Sequence, residues 1–232
     1  MTFSIIARDP RSASFGVAVA TAVPCVGAMV PHARSGIGAV ATQSFANIDL
    51  GRDGLRLLEL GMSPRAALEG LLADDPGAAR RQVAAIDAQG RTFAFSGDEC
   101  VDWYGSHEGE NYSVQGNMLA GPQVIEAMAA VFEDIANAPL SVRLLAALEA
   151  GQAAGGDKRG RQSAALLVTP AVIAKGAPLD FDVRRYELNI RVDEHPQPVA
   201  ELRRIFEVLL RLGEQEHDEA EARALEREQG AQ

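Results

Sequence analysis

The order of apolar runs along the chain narrows the fold before any single residue is considered. Thr2–Ala7 is short and apolar and ends at the turn-like run Asp9-Pro10-Arg11-Ser12; Phe15–Val23 follows as a second strand, so the two form a hairpin. Gly36–Gln43 is a third strand, whose small residues suit close approach by a neighbouring layer. Two helices come next. Leu55, Leu58 and Leu60 lie in the first, and Ser63-Pro64 opens the second as N-cap and N1, with Ala67, Leu68, Leu71 and Leu72 on its face. Gln82–Asp87 and Arg91–Ser96 form another hairpin, and Tyr112–Gln115 is a short strand. Pro122 opens a helix with the stripe Val124, Met128, Val131 and Ile135; Pro139 opens one carrying Leu140, Leu144 and Leu148 and ending at Gly151. Strands at Ser163–Val168, Ala171–Lys175 and Arg184–Val192 precede a last helix from Val199 to Leu212. Hairpin-linked strands make antiparallel sheets, and paired helices must cover them, which predicts a layered α+β sandwich.

The chain has 232 residues, which is enough for one large core. We expect one domain over 1–212 and an acidic helical or disordered tail over 213–232, where glutamate is the commonest residue. A net charge of −10 disfavours binding to nucleic acid or to an anionic membrane surface. Arg8, Asp9 and Arg11 interrupt the first apolar stretch, so it does not read as a signal peptide. Cys25 and Cys100 give neither a disulfide framework nor metal-ligand spacing, and the four histidines are scattered. The expectation is a reduced, cytoplasmic protein with no cofactor and no metal, acting on a small molecule. Apolar edge strands are compatible with a homodimer.

Chemistry points to the second residue. A small side chain after the initiator Met lets an aminopeptidase expose Thr2, which then carries a hydroxyl and an α-amine together. An α-amine with a pKa of about 8 can accept the hydroxyl proton at working pH, making a nucleophile and base in one residue. The alternative is that Thr2 only opens a strand.

Longer motifs bear on that choice. Met1-Thr2-Phe3-Ser4-Ile5, Val30-Pro31-His32-Ala33-Arg34, Ala41-Thr42-Gln43, Gln115-Gly116-Asn117 and the run from Ala154 to Leu166 resemble the domain-of-unknown-function 1028 family. The layout also resembles the N-terminal-nucleophile (Ntn) hydrolases, which implies a four-layer α/β/β/α sandwich with Thr2 as nucleophile. In that comparison Asp157 takes the place of an aspartate that orders the nucleophile. His32 and Arg34 stand where a basic residue precedes the third strand, and Gly116-Asn117 matches a donor turn. Some members of the family carry a peptidoglycan-binding domain, which implies a cell-wall amidase as a further expectation; a non-catalytic binding or assembly module is another.

Each candidate also has a plain structural reading. Arg34 is a fixed cation near the nucleophile or a clamp on a substrate carboxylate, and His32 is a substrate contact or an ordinary loop histidine. Gln43 and Asn47 bind a substrate amide or carboxylate, or Asn47 starts a helix. Asn117 with Gly116 forms an oxyanion hole, or is a polar turn before a helix. Asp157 orders Thr2, or pairs with Arg159 to hold its own loop; Gln162 and Ser163 continue that polar cluster towards the substrate. The Gly151–Gly156 run is not a phosphate loop, because Asp157 replaces the required lysine and a helix precedes it.

Overall fold

The computed structural model describes residues 2–170 and 188–213. Among these residues it is a mixed α+β structure with two antiparallel sheets and five α-helices. In chain order the elements are β1 (Thr2–Asp9), β2 (Ser14–Thr21), β3 (Pro31–Arg34), β4 (Gly38–Ser44), α1 (Ile48–Glu59), α2 (Pro64–Ala73), β5 (Arg81–Asp87), β6 (Thr92–Ser96), β7 (Gly105–Gly109), β8 (Tyr112–Asn117), α3 (Gln123–Asp134), α4 (Leu140–Ala153), β9 (Ser163–Val168), β10 (Leu188–Val192) and α5 (198–213). The larger sheet runs β10-β9-β2-β1-β8-β7 and the smaller β3-β4-β5-β6. The expected strand at Ala171–Lys175, the first part of Arg184–Val192 and the acidic tail lie outside the described residues.

Period-two alternation in β1 decides where everything sits. Phe3, Ile5 and Ala7 join an apolar cluster with α3, α4 and α5, while Ile6 joins a second cluster made by both sheets. That second cluster contains Ala39, Ala41, Ala84 and Ala165, small side chains on the facing strands. A third cluster packs α1 and α2 on the other face of the small sheet through Val40, Leu55, Leu58, Leu68 and Val83. Each fully buried Leu, Ile or Phe in these clusters contributes about 1.5–3 kcal/mol.

The helix boundaries follow sequence chemistry. The Ser63 hydroxyl accepts from Ala66 N and Pro64 takes the first helical position, as expected. Two expectations shift. Gly151 does not end α4; it lies inside the helix, where a Cβ would meet the Met128 side chain of α3, so its role is close helix packing. Leu60 caps α1 and is 79% exposed instead of joining its buried face. Two strands lie outside the runs expected from the sequence: β3, which is short and begins with proline, and β7, an edge strand of Gly, Ser, His and Glu. Edge strands carry little apolar signal because one side faces solvent.

Gly38 in β4 marks the tightest backbone approach in the small sheet. A Cβ there would collide with the Ile86 carbonyl oxygen and with Leu58. Backbone cannot rotate away as a side chain can. Gly38→Ala should therefore cost about 1–3 kcal/mol, read as a lower urea midpoint at unchanged m-value; an unchanged midpoint would show that β4 and β5 can separate freely.

Candidate active site

Strand register gathers polar side chains at one end of the space between the sheets. Thr2 pairs with Thr21 on β2 and with Asn117 on β8, and Thr21 pairs with Ser163 on β9. Ser163, Thr21, Thr2 and Asn117 thus form one cross-strand row, and all four are buried. The facing row on the small sheet is Gln43, Gln82 and Ser96, again in register.

The two rows are joined by side-chain amides. The Thr2 hydroxyl donates to Thr21 Oγ1 at 3.3 Å, and Gln43 Nε2 donates to the Thr2 carbonyl at 3.3 Å. Ser4 Oγ donates to Gln43 Oε1 at 2.7 Å. Gln82 Oε1 accepts from Gln43 Nε2 at 2.8 Å and from Asn117 Nδ2 at 2.9 Å. Gln82 Nε2 donates to the Gly116 carbonyl at 2.8 Å, the Gly105 carbonyl at 3.3 Å and Ser96 Oγ at 2.9 Å. Carbonyl oxygens only accept, so Gly116 and Gly105 fix which end of Gln82 is nitrogen. That in turn obliges Gln43 and Asn117 to present their nitrogens to Gln82 and orients Gln43 towards Thr2.

A second set of contacts holds the chain leaving Thr21. Asp157 is 5% exposed; its Oδ2 accepts from Ala22 N at 2.9 Å and its Oδ1 from Arg159 N at 2.8 Å. Arg159 also pairs with Asp157 through its guanidinium at 3.3 Å. Gln162 N donates to the Thr21 carbonyl at 2.9 Å. Ser163 Oγ donates to the Val23 carbonyl at 2.6 Å and accepts from Val26 N at 3.1 Å. Asp157 and Ser163 therefore act on Thr2 through residues 21–26. Ser44, Met118 and Cys25 all have positive φ, at 70°, 52° and 62°. They directly follow Gln43, follow Asn117, and sit in the loop held by Ser163. Such non-glycine conformations cost of order 1–3 kcal/mol each and persist where the surroundings over-determine them.

Not every candidate joins this row. His32 and Arg34 lie on β3, and alternation turns them to the helix side, while Ala33 packs towards the space between the sheets. His32 sits against Gly51 of α1, with Nδ1 3.2 Å from the Val30 carbonyl oxygen. Arg34 pairs with Glu59 at the end of α1, both half exposed. The structure does not bring either residue to Thr2, and the expected cation before the third strand is not delivered there. Asn47 is the N-cap of α1: its Oδ1 accepts from Asp49 N and its Nδ2 donates to Asp75 Oδ2. Asp75 also accepts from Arg81 and Gly77 N, and these bonds, chiefly to the Arg81 guanidinium, hold its pKa down to about 2. The helix-start reading of Asn47 is the one this geometry matches. Thr21, Gln82 and Ser4 were missed as site residues. Their signal was one polar residue at matching depth in otherwise apolar strands.

Three substitutions check this arrangement. Gln82→Leu strands several buried donors and acceptors and should cost about 2–5 kcal/mol. Gln82→Glu should be tolerated best in acid, where its raised pKa keeps it neutral and able to donate, and should lose stability as pH rises; a flat pH response would contradict the fixed amide orientation. His32 tests the outer face. Burial lowers its pKa below the usual 6.5, with the Arg52 charge adding to the effect. The unfolded chain then binds the proton first, so stability is complete above about pH 6.5 and falls as pH drops below it. His32→Gln should flatten that acid slope in urea unfolding.

The described residues contain no group of three or more His, Cys, Asp or Glu placed to hold a metal ion, and no helix among them is long and apolar enough to cross a membrane. No curated protein matches the chain. Among solved structures, the crystal structure of protein SPO2555 from Silicibacter pomeroyi is 35% identical and has a TM-score of 0.78, covering 89% of this chain and 84% of its own. Anbu (ancestral beta-subunit) from Yersinia bercovieri is a distant likeness at 11% identity and a TM-score of 0.38, covering 90% of this chain and 96% of its own. The model of DUF1028, a family of unknown function, matches residues 2–202, and with that span and the SPO2555 likeness the chain belongs to the DUF1028 family.

Proposed function

We propose that the protein is an amidohydrolase of the N-terminal-nucleophile type, cleaving a small amide or carbamoyl-type C–N bond with Thr2. Its three apolar clusters are consistent with the four-layer α/β/β/α sandwich of that class. The observation that carries the reading is the placement of Thr2: it stands in the middle of a buried polar row, its carbonyl held by Gln43 and its hydroxyl bonded to Thr21. A threonine that merely opened a strand would have no need of two layers of amides behind it.

Once Met1 is removed, the α-amine takes the Thr2 hydroxyl proton as Oγ attacks the substrate carbonyl carbon. The tetrahedral oxyanion is met by the Asn117 amide, which has two hydrogens and gives one to Gln82. The ammonium returns its proton to the leaving nitrogen, the C–N bond breaks, and an ester on Thr2 remains. Water, deprotonated by the same amine, then cleaves the ester. Asp157 and Arg159 keep the segment after Thr21 in place; Arg34, His32 and Asn47 have no part in this scheme. We place the protein in the cytoplasm, acting on a small molecule, with neither nucleic acid nor membrane as partner.

The first test is intact mass with N-terminal sequencing. Loss of Met1 with Thr2 first is expected, and the mature protein should gain the mass of one β-lactone at Thr2. Thr2→Ala should lose acylation and turnover by at least about 10³-fold, while Thr2→Ser keeps both. A retained Met1 in the native host would move the assignment to a non-catalytic binding module, and a fully active Thr2→Ala protein would overturn Thr2 as the nucleophile.

A further inference from the structure

The polar character of the space between the sheets does not stop at the Thr2 row. One row deeper on β8 lies Gln115, in register with Ser4 of β1, and one row deeper again lies Ser113, in register with Ile6. Both are almost wholly buried, at 1% and 0% exposure. Gln115 Oε1 and Ser113 Oγ have no protein hydrogen-bond partner. Neither can be relieved by rearranging the amide. Gln115 Nε2 donates to the Ala41 carbonyl at 3.0 Å, and a carbonyl cannot donate, so the oxygen must point elsewhere. Across the space, β4, β5 and β6 present Ala41, Ala84 and Ala94 in one register row, among the smallest side chains available.

Buried acceptors and hydroxyls without partners are rare in folded proteins, since each forfeits the hydration it had in the unfolded chain. Water is the partner that small, polar, enclosed sites of this kind take, with two to four hydrogen bonds to groups the chain leaves unsatisfied. We propose that the space between β8 and the Ala41-Ala84-Ala94 row is an internal hydration site, whose ordered water bonds Gln115 Oε1 and Ser113 Oγ. Ser4 Oγ stands in the Gln115 row and already donates to Gln43 Oε1, and its lone pairs remain available to accept. The water therefore extends the amide lattice that ends at the Thr2 carbonyl. The site stands whether or not Thr2 is a nucleophile.

A crystal structure at about 1.5 Å or better decides the point. Density for water within about 2.7–3.2 Å of both Gln115 Oε1 and Ser113 Oγ is expected. A dry space, or either atom bonded directly to another protein group, would overturn the site. In solution, magnetic relaxation dispersion counts long-lived internal waters. The count should fall by at least one in Ser113→Ala, a variant small enough to keep the fold, or in Gln115→Leu. An unchanged count in a folded Ser113→Ala protein would equally reject it.

Discussion

A glutamine buried between two β-sheets is stable only if every hydrogen and lone pair of its amide finds a partner. Gln82 meets that condition by bonding two backbone carbonyls, a serine and two other amides. Because the carbonyls of Gly105 and Gly116 belong to the large sheet and Gln82 to the small one, the same bonds tie the sheets together at this end. An apolar residue of equal size would pack, but it would leave those partners buried and unsatisfied. The amide thus fixes the register between the sheets, which apolar packing alone does not.

From Gln82 the constraint passes to Thr2 by two routes. Gln43 reaches the Thr2 carbonyl directly, and Asn117 flanks Thr2 across the strand pair. On the opposite side, Asp157 and Ser163 hold the backbone just beyond Thr21, whose hydroxyl touches that of Thr2. The left-handed residues Cys25, Ser44 and Met118 show that the chain leaves its strands sharply around this point. Such geometry is expensive to maintain, and here the hydrogen bonds on either side supply the restraint.

Much of the fold was legible in the sequence because its signals were local. The β1–β2 and β5–β6 hairpins, the Ser63-Pro64 helix start and the Leu140-Leu144-Leu148 stripe each depend on residues a few positions apart. What failed depended on facing direction or distant partners. Pro31-His32-Ala33-Arg34 looked like a loop leading to a strand; as a strand itself, it turns His32 and Arg34 to α1 and away from Thr2. Gln82 looked like the polar start of a hairpin, since nothing nearby in sequence shows that Gly105, Gly116 and Asn117 will arrive beside it. Asn47 carried two readings because an N-cap and a substrate-binding amide use the same side chain, and only the bond to Asp49 N separates them.

The central position of β1 in its sheet has a consequence for biosynthesis. Its hairpin partner β2 follows at once, but its other neighbour, β8, ends at Asn117, and the Gln82 lattice also closes only when β8 is in place. Pairings between such distant segments form late, because the intervening chain must first be made and gathered in. While the first half of the chain is leaving the ribosome, Thr2 therefore lacks its β8 neighbour. It is withdrawn into the sheet only after Asn117 has emerged. The topology thus sets a period during translation in which Thr2 is not yet enclosed between β2 and β8.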